Sequence, residues 1–215
     1  MKKLIFELNG NLFAQAFPKG RIDSRKELLI IVMEACRTMM TNQQVLNADN
    51  KFMLVVDEMN RLFFFTKKKM FSIRFPFHVN IYPQVRFDLN NIPIDAKMIS
   101  DITTMIETDS YDSSDALDFI SPISDYQENV NSNIWSIINH LLTYEIGYIR
   151  YDDDIEGYEN ACRAGIPKTH PRYHYDVNLD SQAVFKLGLP TQLSPDKFVD
   201  FLDDTKERLF VKKRH

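Results

Sequence analysis

Apolar residues recur every three or four positions in four stretches of the chain, which is the spacing of an amphipathic helix. The first stretch follows Ser24 and Glu27, a capping-box pair whose side chains satisfy amides at the start of a helix. In the last stretch, Ser194 and Pro195 form the cap and first-turn pair that begins many helices. The predicted helices cover about 25–42, about 96–107 after an Asp95 cap, from Asn131 or Ser132 to about Glu145, and from Pro195 onward.

Runs of aromatic and β-branched residues lie between the first two helices, joined by short polar links. Such links are typical of hairpins, so the pattern predicts an antiparallel sheet. Residues 2–8 alternate weakly and predict an edge strand or an arm, and further strands are expected through Tyr148–Tyr151 and after His170. The runs are Phe52–Asp57, Arg61–Thr66 and Met70–Phe75, with Val79–Tyr82 and Val85–Leu89 continuing the meander.

These elements predict an α+β fold, a mostly antiparallel sheet packed with three or four helices, in a single domain over 1–215. The stretch at about 107–130 places acidic residues among serines without periodicity, and we interpret it as an acidic surface loop. Residues 152–167 are interpreted as a polar, acidic connection into the strand that follows.

The composition is that of a globular chain, because 215 residues with 44% hydrophobic and 12% aromatic side chains can form a large core. No apolar run is long enough to span a membrane, and the N-terminal run is too short for a signal peptide. We therefore expect a cytoplasmic protein. The formal net charge of −4 argues against nucleic-acid binding over the whole surface but permits a local basic face.

The stretch 168–203 concentrates the residue types that chemistry uses. Side chains alternate along a strand, so His174 and Asp176 lie on the same side, with His170 at the strand's entry. These candidate catalytic residues could converge on a metal ion or a phosphate, although no fourth ligand is apparent. In the competing interpretation, Tyr175 and its alternate neighbours face the core while His174 and Asp176 face water or a partner.

Basic residues are interleaved with phenylalanines in the predicted hairpins. On an exposed strand face, the cations would neutralise phosphates while the aromatic rings stacked on bases. The alternative, which the run of successive phenylalanines favours, is that the rings form the core and the lysines keep the turns in water. The candidate nucleic-acid or partner-binding residues are Arg61, Lys67, Lys68, Lys69, Arg74 and Arg86, together with Arg172.

Other motif matches are incomplete. Asp88, Asp95 and Lys97 supply the carboxylates and lysine of some metal-dependent nucleases, but Asp95 is expected to cap a helix. Residues 151–157 look like the opening of a calcium loop, but Arg163 stands where the loop needs its final glutamate. The chain has no GxSxG motif and no glycine-rich phosphate loop, which argues against serine hydrolases and Rossmann enzymes.

The C-terminal part of the chain contains His170-Pro171-x-x-His174, a strand, Gly188-x-Pro190 and Leu193-Ser194-Pro195-x-x-Phe198-x-x-Phe201. This pattern resembles the C-terminal signature of an uncharacterised bacterial family of unknown function, with Arg150-Tyr151-Asp152 as an upstream match. Such proteins tend to occur in mobile and defence-related parts of bacterial genomes. The resemblance implies a role in phage defence, without an established activity.

Two functional classes follow. The first is a non-catalytic binding, assembly or sensor subunit of a bacterial antiphage defence system, which contacts a protein partner or nucleic acid and needs no cofactor. The second is a hydrolase of the nuclease type that uses one divalent metal ion. Its candidate residues are His170, His174 and Asp176, with carboxylates from 152–156.

Overall fold

The computed structural model describes residues 2–22, 24–107, 133–177 and 185–207, and the chain forms two compact units. The first unit combines Met1–Asn9, Val45–Phe75 and Ile146–His215. The second unit combines Gly10–Gln44 and Pro76–Glu145. The single domain expected from the sequence stays a prediction.

The described residues contain helices and antiparallel strands, which confirms the α+β class. No helix within the described ranges is long and apolar enough to cross a membrane. The strands are β1 (Lys2–Glu7), β2 (Lys51–Val56), β3 (Arg61–Phe65), β4 (Lys69–Arg74), β5 (His78–Asn80), β6 (Arg86–Leu89), β7 (Ile92–Pro93), β8 (Ile149–Asp153), β9 (Tyr173–Val177) and β10 (Phe185–Gly188). The helices are α1 (Gly10–Ala16), α2 (Arg25–Thr41), α3 (Ala96–Glu107), α4 (Asn133–Thr143), α5 (Ile155–Arg163) and α6 (Pro195–Leu202).

The first unit is built on a seven-stranded sheet in the order β1-β2-β3-β4-β8-β9-β10, in which every neighbouring pair is antiparallel. The short polar links predicted hairpins, and β2, β3 and β4 do form a meander through them. The weakly alternating residues 2–8 form β1, which lies at one edge of the sheet as predicted.

One face of this sheet packs against α6. Ser194 Oγ accepts a hydrogen bond from the Lys197 amide at 3.3 Å, so the predicted cap begins the helix. Phe198 on α6 is fully buried, and its ring lies 6.0 Å from the ring of Phe63 and 6.2 Å from that of Tyr175. The core of this face therefore combines aromatic rings from the sheet and from one short helix with buried Met53, Val55, Met70 and Val199.

On the opposite face, a single row of cross-strand partners runs through all seven strands. The pairing register gives Phe6, Phe52, Phe64, Phe71, Arg150, Asp176 and Lys186. The four phenylalanine rings stack, with centroids 5.3, 5.8 and 4.5 Å apart along the row. The row is therefore apolar over β1–β4 and ionic over β8–β10.

The second unit contains α1–α4 and a separate three-stranded sheet, β5-β6-β7. The capping box of α2 is formed, and Asp95 Oδ1 accepts from the Met98 amide at 2.8 Å, which confirms both predicted helix starts. Arg25 on α2 donates to the Leu141 and Tyr144 carbonyls at the end of α4, so one guanidinium satisfies two carbonyls that the helix leaves unpaired.

Two expectations about secondary structure were wrong. β5 and β6 do not continue the meander of the first sheet, because they pair with each other and with β7 in the smaller sheet. Residues 152–167 are not only a connection, since they contain the end of β8 and the helix α5. The sequence of α5 does place Ile155, Tyr158, Ala161 and Cys162 at helical spacing, but only Ala161 is buried in the structure.

One predicted segment falls largely outside the described residues. The acidic loop at about 107–130 is described only at Glu107, which ends α3.

Candidate functional site

Five ionisable side chains meet on the sheet face that carries the phenylalanine row. Arg150 and Asp152 come from β8, His174 and Asp176 from β9, and Lys186 from β10. The register pairs Arg150 with Asp176, Asp152 with His174, and Asp176 with Lys186. Because alternate residues of a strand share a face, these five side chains lie together, and we call them the ionic cluster.

Arg150 connects the two carboxylates of the ionic cluster. Its Nε and Nη2 atoms lie 2.9 and 2.8 Å from Asp152 Oδ2, and Nη2 also lies 2.6 Å from Asp176 Oδ2. The Asp152 and Asp176 side chains are only 6% and 7% exposed. Ionised carboxylates at this depth need positive partners, and the guanidinium supplies charge and directed hydrogen bonds together.

Lys186 occupies the other side of the ionic cluster. Its Nζ lies 3.0 Å from Asp176 Oδ1 and 2.7 Å from His174 Nε2. His174 Nδ1 lies 2.8 Å from the Pro171 carbonyl oxygen, which can only accept, so Nδ1 carries the proton. His174 Nε2 therefore presents its lone pair to the lysine ammonium.

The electrostatics hold His174 in the neutral form. Burial of the ring lowers the pKa of His174, and the nearby Lys186 ammonium lowers it further against the opposing effects of the Pro171 hydrogen bond and the two carboxylates. Two carboxylates, one guanidinium and one ammonium then sum to zero charge. The ionic cluster is therefore neutral when the imidazole is neutral, and protonation of His174 would add an unbalanced positive charge beside Lys186.

Two polar atoms near the ionic cluster are not satisfied. Asp152 Oδ1 and the Tyr148 hydroxyl are buried without a hydrogen-bond partner among the described residues. Burial raises the pKa of the Tyr148 phenol to about 12, so this hydroxyl keeps its proton. Buried polar atoms without partners are uncommon in folded proteins, and they often mark the binding position of a water molecule or an ion.

His170 lies beside the ionic cluster and is bonded to a different carboxylate. Its ring centroid lies 5.1 Å from that of His174, while its Nε2 lies 2.8 Å from Asp154 Oδ2. Asp154 caps α5 by accepting from the Gly157 amide at 2.9 Å. Burial opposes the ionisation of Asp154, but the Gly157 and His170 hydrogen bonds outweigh it and lower the pKa of that carboxyl.

Gly157 is required by this arrangement of His170 and Asp154. A Cβ atom at Gly157 would collide with the His170 ring and the Asp154 carboxylate. The residues that looked like a calcium loop thus serve other purposes: Asp152 is a buried strand residue and Asp154 is a helix cap.

The structure brings together two of the three candidate catalytic residues, His174 and Asp176, and places His170 next to them. The interpretation in which His174 and Asp176 face water or a partner is wrong, because both are buried within the chain, the first 0% and the second 5% exposed. Tyr175 is buried in the core as expected. The strand period placed His174 and Asp176 on one side correctly, but it could not tell that this side is buried as well.

Asp88, Asp95 and Lys97 do not form the suggested carboxylate–lysine set. Asp88 binds His78 and Asn80 at 3.0 Å each, Asp95 caps α3, and Lys97 lies 3.6 Å from Asp101. The same residue types do meet in the ionic cluster, where Asp152, Asp176 and Lys186 come from three adjacent strands.

Lys186 and the role of Arg150 were not predicted from the sequence. The available signal was the spacing of charged residues at every second position: Arg150 and Asp152 on one strand, His174 and Asp176 on the next. Lys186 has no such companion, and only the strand register places it opposite Asp176.

The basic residues of the hairpins have several different environments. Arg61 is buried and donates to Ser72 Oγ at 3.0 Å and to the Gly147 carbonyl, so it is a core residue. Arg172 is bound to Asp153 at 2.8 Å. Lys67, Lys68 and Arg74 are exposed in the first unit, Lys69 is half-buried there, and Arg86 is exposed in the second unit.

The phenylalanines interleaved with these cations are core residues. Phe63, Phe64, Phe65, Phe71 and Phe75 are between 0% and 3% exposed, in agreement with the interpretation that the sequence favoured. Rings at this depth cannot stack on bases.

A pocket of about 470 Å³ lies at the end of the sheet where the turn between β3 and β4 meets the start of α6. Lys51, Lys67 and Asp49 contribute charge to its lining, while Tyr151 and Leu193 contribute apolar surface. The Leu193 amide donates to the Tyr151 hydroxyl at 3.1 Å, which fixes the segment before α6 against the sheet.

In comparisons with known proteins, no protein-family model, no curated protein and no solved structure matches the chain.

Proposed function

We propose that the chain is a non-catalytic binding or assembly subunit that contacts a protein partner. The observation that carries this proposal is the internal neutralisation of the ionic cluster. A hydrolase needs a carboxylate or an imidazole that is free to take a proton or hold a metal ion. Here Arg150 and Lys186 are hydrogen-bonded to Asp176, and Lys186 also binds the lone pair of His174. The carboxylate oxygen without a partner among the described residues, Asp152 Oδ1, is buried and out of reach of a substrate.

The exposed turn between β3 and β4 supports a protein partner over nucleic acid. Lys67 and Lys68 supply positive charge, and Lys67 borders the pocket, whose apolar surface includes Leu193. The phenylalanines of the same hairpins are buried and offer no stacking surface. A partner segment that combines acidic residues with one apolar side chain would complement this surface in charge and in polarity.

The biological setting that we propose rests on the resemblance of residues 170–201 to an uncharacterised bacterial family that tends to occur in defence-related parts of genomes. The chain would work in a multi-component bacterial antiphage complex, as a sensor or an assembly subunit. In that role the sheet supports the exposed turn between β3 and β4, and the partner binds that turn.

The experiment that tests this proposal is purification of the chain with the products of its neighbouring genes co-expressed. We expect a stable complex, with its mass measured by native mass spectrometry. Because the lysines face acidic groups in this proposal, Lys67→Glu combined with Lys68→Glu should weaken the complex at least tenfold, about 1.4 kcal/mol. The control Lys97→Glu reverses an exposed charge in the second unit and should leave the complex intact.

Two outcomes would contradict the proposal. A chain that elutes alone, with every neighbour tested, would remove the assembly role. Co-purification of nucleic acid, seen as excess absorbance at 260 nm and lost in the lysine variant, would replace the protein partner by a nucleic acid.

A second candidate function, a metal-dependent hydrolase of nucleic acid, is favoured by one specific observation. Asp152, His174 and Asp176 each offer one ligand atom, and these atoms lie within 4.8 Å of one another in the described part of the chain. Turnover of a phosphodiester substrate that requires added Mn²⁺ and disappears in Asp176→Asn would establish this candidate. Folded, metal-supplemented protein without such turnover would eliminate it.

A further inference from the structure

We propose that Asp152, His174 and Asp176 form a divalent-cation site in which the Lys186 ammonium is the resident cation that a metal ion displaces. The inference goes beyond the binding role, and it holds whether or not the chain hydrolyses anything. It concerns which cation occupies a cluster of buried acceptors. Three features of the ionic cluster support it.

The first feature is the position of the ammonium. Lys186 Nζ lies 2.7 Å from His174 Nε2 and 3.0 Å from Asp176 Oδ1, between two atoms that are themselves 3.5 Å apart. A transition-metal ion bound to imidazole nitrogen and carboxylate oxygen lies about 2.0–2.2 Å from each. The lysine nitrogen therefore occupies the volume that such an ion would take, at hydrogen-bond distance from its ligands.

The second feature is how the acceptor atoms are distributed. Arg150 binds Oδ2 of Asp152 and Oδ2 of Asp176, which leaves Asp176 Oδ1 and His174 Nε2 for another cation. Asp152 Oδ2 lies 3.8 Å from His174 Nε2, on the edge of the same position. Lys186 satisfies Asp176 Oδ1 and His174 Nε2, but Asp152 Oδ1 remains buried without a partner among the described residues. A metal ion can bind three protein ligands, whereas the Lys186 ammonium binds two of the available atoms.

The third feature is the support behind the ligands. His174 donates its Nδ1 proton to the Pro171 carbonyl, which orients the ring and leaves Nε2 to bind. Arg150 binds Oδ2 of both carboxylates, whereas Lys186 binds Oδ1 of Asp176. Metal-ligating histidines and carboxylates commonly have such second partners, which fix their orientation before the ion arrives.

Lys186 also provides a route for exchange. Its side chain is 28% exposed, whereas those of Asp152, Asp176 and His174 are between 0% and 7% exposed. Lys186 stands on β10, the strand at the edge of the sheet, so the ammonium can swing into water without a change in the backbone. The mixed nitrogen and oxygen ligands suit Zn²⁺, Co²⁺ or Mn²⁺.

The charge balance predicts how strongly each variant binds. With Arg150 and Lys186 both present, a divalent ion gives the ionic cluster a net positive charge, so the wild-type chain should bind weakly. Replacing Lys186 by methionine removes one positive charge within a few ångströms of the ion, and should raise the affinity at least about tenfold. The methionine keeps most of the apolar stem.

The experiment is a titration of the full chain with Co²⁺, followed by the visible absorbance of the bound ion and by competition with Zn²⁺. We expect Lys186→Met to bind one Co²⁺ at least tenfold more tightly than wild type. Adding Asp152→Asn to Lys186→Met should reverse most of that gain. The matched control Lys97→Met removes a lysine from beside Asp101 and should leave the affinity at the wild-type value.

Several results would overturn the proposal. Equal affinities of wild type and Lys186→Met would mean that the ammonium does not compete for the site. Tight binding that survives Asp152→Asn would place the ion elsewhere. If Lys186→Met does not fold, as judged by circular dichroism, Lys186→Gln provides a second neutral variant, and the same comparison decides. Metal binding without phosphodiester turnover would retain this site and eliminate the hydrolase.

Discussion

One face of the seven-stranded sheet is built in two different ways. Over β1–β4 it carries stacked rings from Phe6 to Phe71, and over β8–β10 the same cross-strand row carries Arg150, Asp176 and Lys186. The phenylalanine half is fully buried, whereas the ionic half reaches water at Lys186, and the forces differ. Ring packing is non-directional and roughly proportional to the area removed from water, whereas buried ions must be matched in charge and in geometry.

The two halves should differ in how their stability responds to substitutions. In the phenylalanine half, every ring contributes on its own, so the loss of one leaves a cavity. In the ionic half the members depend on one another, since removal of one leaves an opposite charge buried and unpaired. Large costs are therefore expected in both halves, but only the ionic half should recover when a second, compensating change is made.

The largest effect is expected at Phe64, in the middle of the phenylalanine row. Its ring stacks at 4.5 Å on Phe71 and 5.8 Å on Phe52, and it is 0% exposed. We expect Phe64→Ala to lower the free energy of unfolding by about 3–5 kcal/mol, because it removes the ring and leaves a cavity. Chemical denaturation measures the change, with Phe64→Leu as the milder control. A loss below about 1 kcal/mol would mean that the row does not form part of the core.

The next effect is expected at Arg150, in the ionic half. Arg150→Met should cost about 3 kcal/mol, because Asp152 and Asp176 then lose their shared positive partner. Combining it with Asp152→Asn should restore part of the loss, since one charge of each sign is then gone and Asp176 keeps Lys186.

The comparison of single and double variants by chemical denaturation is the decisive part of the Arg150 prediction. A double variant less stable than Arg150→Met alone would show that the ionic half behaves like the phenylalanine half. In that case the charges would be incidental to how this half of the sheet is held.

The smallest effect is the dependence of stability on pH through His174. Burial and the Lys186 ammonium lower the pKa of His174 below its ordinary value of 6.5, so the unfolded chain takes up a proton at a higher pH than the folded chain does. The fold is therefore not destabilised by His174 above pH 6.5, where the ring is neutral in both states. As the pH falls through 6.5 towards the lowered pKa, protonation favours the unfolded chain and the free energy of unfolding falls.

We expect the free energy of unfolding to fall between pH 7 and pH 5 by about 1 kcal/mol for each pH unit across which His174 stays neutral in the fold. The variant His174→Gln keeps a polar side chain without a titratable ring, and its slope over this interval should be shallower. Denaturation curves at several pH values supply the slopes. Equal slopes in the two proteins would assign the acid sensitivity to other groups.

Part of the functional region could be predicted from the sequence and part could not. Strand alternation placed His174 and Asp176 on one side, and cap residues located the starts of α2, α3 and α6. The helix α5 was missed although Ile155, Tyr158 and Ala161 follow Asp154 at helical spacing, because the stripe is short and contains Gly157, which disfavours a helix interior. The ionic cluster was missed because its members come from three strands, and long-range register is not visible in local patterns.

The sequence by itself determined the α+β class, the hairpins of β2–β4 and most helix starts, because these follow from local periodicity and capping chemistry. Only the tertiary structure decided that both sides of β9 are buried, that Lys186 lies opposite Asp176, and that β5–β7 form their own sheet. The physical reason is that periodicity shows which side chains share a face. Which side chains become neighbours on that face depends on which distant strands pair. A one-residue change in register would place Lys186 on the other side of the sheet.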